Sequence, residues 1–427
     1  MWFKEAKYAW FIVSFLWILG FLGSIGRVIV QYYQGPITDD IGITRTFLGY
    51  AWSASILIGS LCAPFGGWLT DKFGYKVTIV TGSLMGLAST GVILIFPHPV
   101  GYFIGFGILG GLAGIGASTS YVIVTQWFHH HRAKALMIIS SSSSIGLALI
   151  TPLFVGNESW LTWMAAYRIS MAIGIAFIIL MILFVRERKK TEAEAVEASD
   201  PTKPDSKGSG ILKPARSAGR ANLRESLEAL LAYIKNPVLM VVIFALFTCG
   251  FSMGTVEMHL MAIQQSAHVS HTMFVASLSL LGILELVGGF VFAALLDRMP
   301  RAFALSCLYL IRAVAFSILF AHHYLSPILF TLIFGATYLG AIPGGILVAN
   351  ESLKSKAIGL QTGVLLLFHQ LGGGFAAIAG GLNYDLLHNY QILIAVNIVL
   401  SLISCLAYYA VRKSNKAERN LATASTA

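Results

Sequence analysis

Charged residues are scarce in this chain, and their scarcity excludes most soluble folds. Only 11% of the 427 residues are Asp, Glu, Lys or Arg, whereas about a quarter is usual in soluble domains. Hydrophobic residues make up 56% of the chain, and many of them form runs of about 20, the length that spans a bilayer core. The composition therefore predicts an all-α membrane protein that crosses the bilayer many times.

Cysteine is also scarce, and the residues present have no metal-ligand spacing. All four lie within apolar runs, where cysteine behaves as a small apolar residue: Cys62, Cys249, Cys307 and Cys405. The triplet His129-His130-His131 has no acidic or cysteine ligands nearby, so it predicts a surface turn and no metal site.

Motifs that carry enzymatic chemistry are missing from the sequence. We find no Gly-x-Ser-x-Gly elbow, no phosphate-binding P-loop, no dinucleotide fingerprint and no His-Glu-x-x-His. The sequence therefore predicts neither an enzyme nor an ATP-driven pump, and no cofactor is expected.

Apolar runs predict twelve spans in two halves. The first 8 residues lead into a run too long for a cleavable signal, which predicts a retained first span. The runs cover 8–32, 46–70, 77–96, 100–127, 133–155, 162–185, 237–263, 271–296, 302–321, 325–349, 357–381 and 390–411. We expect a six-helix bundle over 1–185, a polar linker over 186–236, a second bundle over 237–411 and a tail over 412–427.

Positive charges are distributed asymmetrically about these spans. Of the 29 Lys and Arg residues, all but four precede span 1, follow an even-numbered span or lie in the linker; the exceptions are Arg27, Arg45, Arg168 and Arg312. Because basic residues concentrate in cytoplasmic loops, both termini and the linker are predicted to be cytoplasmic, in a cell membrane. The net charge of +10 is then a topological signal, and no nucleic-acid partner is expected.

A short charged loop joins spans 2 and 3 and recurs in weaker form after span 8. The first copy consists of Gly67, Asp71, Lys72, Gly74 and Lys76. The second copy has the same spacing in Ala293, Asp297 and Arg298. This recurrence indicates an internal repeat. The loop resembles the loop motif of the major facilitator superfamily of secondary transporters.

That resemblance covers essentially the whole chain and implies a mechanism. Two bundles would rock about a cavity lined by spans 1, 4, 7 and 10. Both loop copies, together with Arg132, would act in gating at the cytoplasmic side. There Gly67 would let helices approach closely, and Asp71 would pair with or cap a helix end.

A narrower resemblance is to the bacterial monocarboxylate-porter-like branch, related to the oxalate–formate antiporters. It rests on residues near the ends of several spans: Trp127, Phe128, Arg132, Ala135, Gly146, Pro152, Leu153, Trp163, Ala166, Tyr167, Arg168, Tyr309 to Ala313, His369, Gln370, Gly372, Gly380, Gly381, Asp385 and Tyr390. The chain also departs from that branch. Gly289 stands where mammalian monocarboxylate transporters carry an Arg, and His369 is the nearest position to the Lys of the oxalate transporters.

Five ionisable side chains interrupt the spans, where each costs several kcal/mol unless it faces a partner or a watery cavity. They are Arg27, Glu257, Glu285, Arg312 and His369. Glu285 and Arg312 lie at matched depth, roughly 17 to 18 Å from the cytoplasmic side at about 1.5 Å per residue. This pair predicts either a structural ion pair or a site in which Glu285 holds the coupling proton and Arg312 the substrate carboxylate.

The roles of the other ionisable groups are also open to two interpretations each. Arg27 and Glu257 occupy equivalent positions in spans 1 and 7, which predicts either a gate salt bridge that forms when the protein faces inward or a substrate site. His369 predicts a proton carrier, or a neutral imidazole bonded to a neighbouring helix. Tyr32, Tyr121 and Tyr338 could orient a carboxylate, and the serine run 140–144 predicts close packing or a lining of the substrate path.

Taken together, these features predict a secondary active transporter of a small organic anion, a mono- or dicarboxylate, working by alternating access as a functional monomer. Its drive would be proton symport or anion exchange. Substrate would contact Arg27, Arg312, His369 and the three tyrosines, and protons would use Glu257, Glu285 and His369. Two alternatives stay open: proton-coupled efflux of amphipathic or cationic compounds, and a non-transporting receptor on the same fold.

Overall fold

The structure, a computed structural model, describes residues 7–116, 119, 123–124, 127–128, 132–185, 236–321, 323–352 and 358–425. The predicted linker, except for its last residue, lies outside the described residues, and so does Tyr121. The side chains of Asp71, Arg132 and Asp297 also lie outside them, so their predicted gating roles stay predictions.

All regular structure in these ranges is helical, as predicted. Spans 1 to 6 are the helices Lys7–Tyr32, Arg45–Phe73, Tyr75–Ile95, Pro99–Gly116, Arg132–Gly156 and Trp163–Phe184. Spans 7 to 12 are Pro237–Ser266, His271–Arg298, Arg301–Phe320, the pair Ser326–Gly335 and Ala341–Ser352, Ile358–Leu387 and Gln391–Ser425. A short helix, Gln34–Ile41, connects spans 1 and 2. Eleven helices in the described ranges are long and apolar enough to cross a membrane.

Two boundaries differ from the sequence-based prediction. Span 10 was predicted as one run, but it is two shorter helices separated by the turn 336–340. Span 12 continues as a helix to Ser425, so the described part of the predicted tail prolongs that helix. Composition identified both apolar runs but carried no signal for the break or for the extension.

Local sequence signals explain where several spans begin and end. Thr44 and Thr162 accept hydrogen bonds from the backbone N–H groups three residues ahead, and they cap spans 2 and 6. Asn236 caps span 7 in the same way, with Pro237 at the first helical position. Gly74 alone separates spans 2 and 3, at φ 90° and ψ 162°, a conformation open essentially only to glycine.

Small residues let several spans pack with their backbones in contact. Span 11 packs against spans 2 and 7, span 1 against span 5, and span 8 against spans 5 and 10. A side chain at Gly250 would overlap the carbonyl of His369, and one at Gly49 would overlap that of Ala377. Such contacts let helices associate where lipid offers no hydrophobic driving force.

Asp385 ties spans 2 and 11 together at one end of the bundle, here called the Asp385 end. Its carboxylate accepts hydrogen bonds from the backbone N–H groups of Arg45 (3.0 Å) and Thr46 (2.8 Å), which are unpaired donors of the first turn of span 2. The guanidinium of Arg45 donates to the hydroxyl of Tyr390 (2.6 Å) and lies 3.4 Å from the ring centroid of Tyr384.

Further contacts close the same end. The amide of Gln34 donates to the carbonyl of Met258, and that of Gln265 donates to the carbonyl of Tyr32 at 3.2 Å. Between described residues, every hydrogen bond from spans 1–6 to spans 7–12 lies at this end or near mid-span. The mid-span bonds involve Ser53, Gly374, Ser144, Glu285, Ser279 and Ala148.

The backbone conformation of Gly74 generates a stability prediction. Gly74→Ala should lower the free energy of unfolding by about 1 to 3 kcal/mol, because alanine is strained at this φ and ψ. Gly91→Ala is the matched control: Gly91 is helical with open space around it, and alanine favours helix. Thermal unfolding of the purified variants measures both effects. Equal unfolding temperatures for Gly74→Ala and the unsubstituted protein would contradict the assignment of strain.

Candidate functional site

Two departures from regular helix place polar groups at mid-span. Residues Thr255–His259 of span 7 form a π-helical turn, and Glu257 lies at its centre. The non-helical turn 336–340 of span 10 carries Tyr338. π-Helical turns inside helices are frequent at functional sites, and non-helical backbone at membrane depth occurs only where protein or a cavity surrounds it.

These two turns face one cavity of about 300 Å³. Spans 1, 5, 7, 8 and 10 line it. Its polar lining consists of Ser24, Arg27, Gln31, Ser140, Ser143, Ser144, Glu257, Glu285 and Tyr338. Leucine, valine and methionine side chains complete the wall. A mostly apolar cavity with a few convergent polar groups is typical of a small-molecule site.

Each carboxylate at the cavity has a hydroxyl partner. Tyr338 donates its hydroxyl hydrogen to Oε1 of Glu257 at 2.5 Å, which joins spans 10 and 7. Ser144 donates to Oε2 of Glu285 at 2.7 Å, which joins spans 5 and 8. Glu285 is buried, with 7% of its surface exposed, whereas Glu257 is only partly buried.

Arg27 is different, because its guanidinium has no such partner. The side chain is exposed and lines the cavity. Among the described residues, none hydrogen-bonds to it or forms an ion pair with it within 4.0 Å. Within the described part of the chain, the cavity is therefore lined by an unpaired guanidinium and by two carboxylates that accept hydrogen bonds.

Arg312 does not line this cavity, so the structure gives no support to its predicted contact with substrate. It is fully buried. Its Nη2 donates to the carbonyls of Thr337 (3.0 Å) and Tyr338 (3.2 Å) in the turn of span 10. Arg312 thus satisfies carbonyls that a regular helix would have paired internally. It is a positioning residue for Tyr338.

Neither predicted ion pair exists between these described residues. Glu285 and Arg312 share a depth, but span 9 packs mainly on span 12, and Arg312 reaches toward span 10. Arg27 and Glu257 both line the cavity, but their charged groups are more than 4.0 Å apart. The carboxylate of Glu257 accepts a hydrogen bond from Tyr338 instead. Equal depth along the membrane does not determine which helix faces meet.

The remaining predicted site residues are dispersed. His369 is buried beside the cavity wall, with its Nε2 3.4 Å from Sδ of Met253. Tyr32 packs at the Asp385 end against the rings of Tyr33 and Phe274 and lies outside the cavity. Of the three tyrosines predicted to contact substrate, Tyr338 is the one at the described cavity wall.

Sequence reasoning missed part of the polar lining. Ser24, Arg27 and Gln31 lie on one face of span 1 at helical spacing, but only the arginine was singled out. The serine run divides between the two predicted uses. Ser140, Ser143 and Ser144 line the cavity, while Ser141 accepts a hydrogen bond from Trp17 and Ser142 packs against Gly20. The spacing i, i+3, i+4 was the available signal.

The gating roles of the charged loop after span 2 stay predictions. An added Cβ at Gly67 would have no described atom within 4 Å, and the close contact between spans 2 and 4 falls at Gly66. Lys76 donates to the carbonyl of Ile182 at 2.7 Å, and Lys72 lies 5.1 Å from the ring of Trp68. Arg298 of the second copy is exposed.

Comparison with known proteins identifies the family. The profile of the Major Facilitator Superfamily matches residues 16–377 and 278–426. The chain belongs to the Major Facilitator Superfamily. This confirms the family predicted from the charged loop.

Relatives and solved structures agree with the superfamily assignment. YcxA of Bacillus subtilis, an uncharacterized transporter of the superfamily, is 27% identical over 404 residues, 91% of this chain and 92% of its own. The D-galactonate transporter of Escherichia coli O6:H1 is 27% identical over 174 residues, 40% of each chain. Monocarboxylate transporter 12-B of Danio rerio is 23% identical over 269 residues, 60% of this chain and 55% of its own. The nucleoside transporter NupG has the same fold, with a TM-score of 0.73 at 13% identity over 93% of this chain and 99% of its own.

Family and fold are therefore those of transporters and not of enzymes, and the chain is a multi-pass membrane protein. Within the superfamily fold, the cavity between spans 1, 5, 7, 8 and 10 is the candidate transport site.

The role of Arg312 generates a prediction. Arg312→Leu should lower the free energy of unfolding by about 1 to 3 kcal/mol, the cost of leaving a buried carbonyl without its donor. The carbonyl of Tyr338 would lose the guanidinium, whereas that of Thr337 keeps the N–H of Gly340 at 3.4 Å. Arg301→Gln is the control: Arg301 forms an exposed ion pair with Glu351 at 2.7 Å, and such pairs contribute little. Thermal unfolding of both purified variants is the measurement, and equal losses would rule out the positioning role.

Proposed function

We propose that this protein is a secondary active transporter of a small organic anion, a mono- or dicarboxylate, that works by alternating access. Arg27 is the substrate-binding cation. Glu285 carries the coupling proton, and Glu257 with Tyr338 completes the polar wall. The transported anion enters with a proton or in exchange for another anion.

The exposed guanidinium of Arg27 is the observation that carries this proposal. A cation inside a membrane span is costly without a counter-ion, and no described acidic side chain lies within 4.0 Å of it. A substrate carboxylate would satisfy it through two parallel N–H···O bonds. Both carboxylates of the cavity point instead to hydroxyl donors.

The rest of the lining supports an anion that also bears hydroxyl groups. Three serines of span 5 and Gln31 of span 1 offer neutral donors and acceptors around Arg27. Carboxylate oxygens of Glu257 can accept from a substrate hydroxyl as well as from Tyr338. The D-galactonate transporter, similar over 40% of the chain, is named for a substrate of this chemistry.

Glu285 is suited to couple a proton to the motion. Its bond from Ser144 connects span 5 to span 8, one span from each predicted bundle. A hydrogen bond to a carboxylate is stronger than one to a neutral acid, so protonation weakens this connection. Proton binding would thereby shift the balance between the two arrangements of the bundles.

Topology then gives the state of the structure. With both termini cytoplasmic in a cell membrane, the Asp385 end faces outward, and its contacts close the outer side of the cavity. The structure would be the inward-facing arrangement. The division into bundles 1–185 and 237–411 joined by the linker is part of this proposal.

Flux measurements in liposomes test the proposed function. Purified protein with an imposed pH gradient is assayed against labelled carboxylates, with and without hydroxyl groups, and against lipophilic cations. We expect uptake or exchange of carboxylates. Flux of cations alone would favour efflux of cationic compounds, and binding without flux would favour a receptor.

Arg27→Ala should abolish carboxylate flux, and Arg27→Lys should restore only part of it, because an ammonium lacks the paired geometry of a guanidinium. Arg168→Ala is the matched control, since Arg168 is an exposed arginine of span 6 that does not line the cavity. Unchanged flux with Arg27→Ala would remove Arg27 from the site.

Glu285→Gln should abolish uptake driven by the pH gradient and spare counterflow, because the amide keeps the shape and cannot carry the proton. Glu351→Gln, at an exposed acid outside the cavity, is its control. Full proton-driven uptake by Glu285→Gln would exclude this residue as the proton carrier.

A further inference from the structure

Three possible metal-ligand atoms meet at the edge of the transport cavity, in a cluster to which the proposed transport mechanism assigns no role. Cys249 and Met253 lie one turn apart on span 7, with Sγ and Sδ separated by 3.7 Å. His369 of span 11 places its Nε2 3.4 Å from the same Sδ. The thiol of Cys249 and the imidazole of His369 therefore lie against the same thioether sulfur, and the three donors form one cluster.

We propose that Cys249, Met253 and His369 form a binding site for one soft monovalent metal ion, Cu(I) or Ag(I). Thiolate and thioether sulfur select Cu(I), and imidazole also binds copper. Metal–sulfur bonds of about 2.3 Å and metal–nitrogen bonds of about 2.0 Å, as in zinc sites, put three coplanar donors about 3.7 to 4 Å apart. The observed separations lie within about 0.3 Å of that range.

The buried arginine nearby fits the chemistry of such a site. Arg312 is buried close to the Cys249 thiol, and its Nη1 has no hydrogen-bond partner in the described part of the chain. The thiolate sulfur would supply an acceptor for the unpaired N–H of Arg312.

Charge balance allows the metal to bind at this depth. The thiol releases its proton to cavity water, the S–H bond is replaced by an S–metal bond, and no electron is transferred. One positive charge leaves the cluster and one arrives, so the buried net charge does not change. Met253 lines the cavity and is only partly buried, which gives the ion a route from the cavity to the site.

Binding at this position would connect span 7 to span 11 next to Glu257. The backbones of the two spans already touch at Gly250, one residue from Cys249. An ion held by both spans would stabilise the folded protein by mass action. Its affinity should fall at low pH, since protons compete for the thiolate and the imidazole.

Metal titration of the purified full-length protein tests this proposal. Cu(I), held by the chromophoric chelator bicinchoninate, is titrated anaerobically into the protein, and the unfolding temperature is recorded with and without one equivalent. Cys249→Ser, Met253→Leu and His369→Gln should each weaken Cu(I) binding at least about tenfold and remove the thermal stabilisation. X-ray absorption should show two sulfur neighbours and one nitrogen neighbour.

Cys405→Ser is the matched control, because Cys405 is the other buried cysteine and its sulfur contacts Ser306. It should leave Cu(I) binding unchanged. If Cys249→Ser and Met253→Leu both bind Cu(I) as tightly as the unsubstituted protein, the proposed metal site is wrong. If Cys249→Ser fails to fold, Met253→Leu decides the outcome. Loss of the thioether alone must weaken Cu(I) binding and must reduce the number of sulfur neighbours seen by X-ray absorption from two to one.

Discussion

Two hydrogen bonds from Arg312 hold the turn 336–340 in the middle of span 10. Inside a bilayer every backbone carbonyl must find a donor within the protein, because no water is available. The turn 336–340 breaks span 10 and frees carbonyls, and the guanidinium of Arg312 binds two of them. A single buried cation therefore makes it possible for span 10 to leave helical geometry at the depth of the cavity.

The arrangement of the cavity follows from that break. Because the turn is held in place, Tyr338 reaches across to Glu257, which itself lies in a π-helical turn of span 7. The hydroxyl occupies one carboxylate oxygen, and Ser144 occupies an oxygen of Glu285 in the same way. Among the described residues that line the cavity, the guanidinium of Arg27 has no hydrogen-bond or ion-pair partner. The selectivity that we propose for anions thus depends on hydroxyl groups that prevent the cavity acids from neutralising its arginine.

The sequence was sufficient for the architecture and insufficient for the site. Apolar length predicted the spans, because the thickness of the bilayer imposes that length on any chain. The basic residues of alternate loops predicted the orientation, which stays a prediction. The charged loop predicted the superfamily. Depth along a span could be counted, and three of the ionisable residues singled out in the spans line the cavity: Arg27, Glu257 and Glu285.

Rotation about the helix axis could not be obtained by counting. The rotation of a helix depends on which neighbour each of its faces packs against. The sequence therefore paired Arg312 with Glu285 because their depths are equal, although the helix faces that carry them do not meet. For the same reason Cys249 and His369, 120 residues apart in the chain, gave no metal-ligand spacing. The sequence also did not predict the break in span 10, since the residue that supports the turn 336–340 lies on another span.

The charges of the cavity bear on the proposed coupling. Counted as two carboxylates and one guanidinium, Glu257, Glu285 and Arg27 would together carry a net charge of −1. Entry of a monocarboxylate alone would bring this to −2 in a region of low dielectric, where each uncompensated charge is costly. Taking up one proton on Glu285 at the same time returns the cavity to −1 and loosens the bond from Ser144 that joins spans 5 and 8. Within the proposed function, this charge balance favours proton symport. Protonation of Glu285 both compensates the charge of the entering anion and weakens a contact between the bundles.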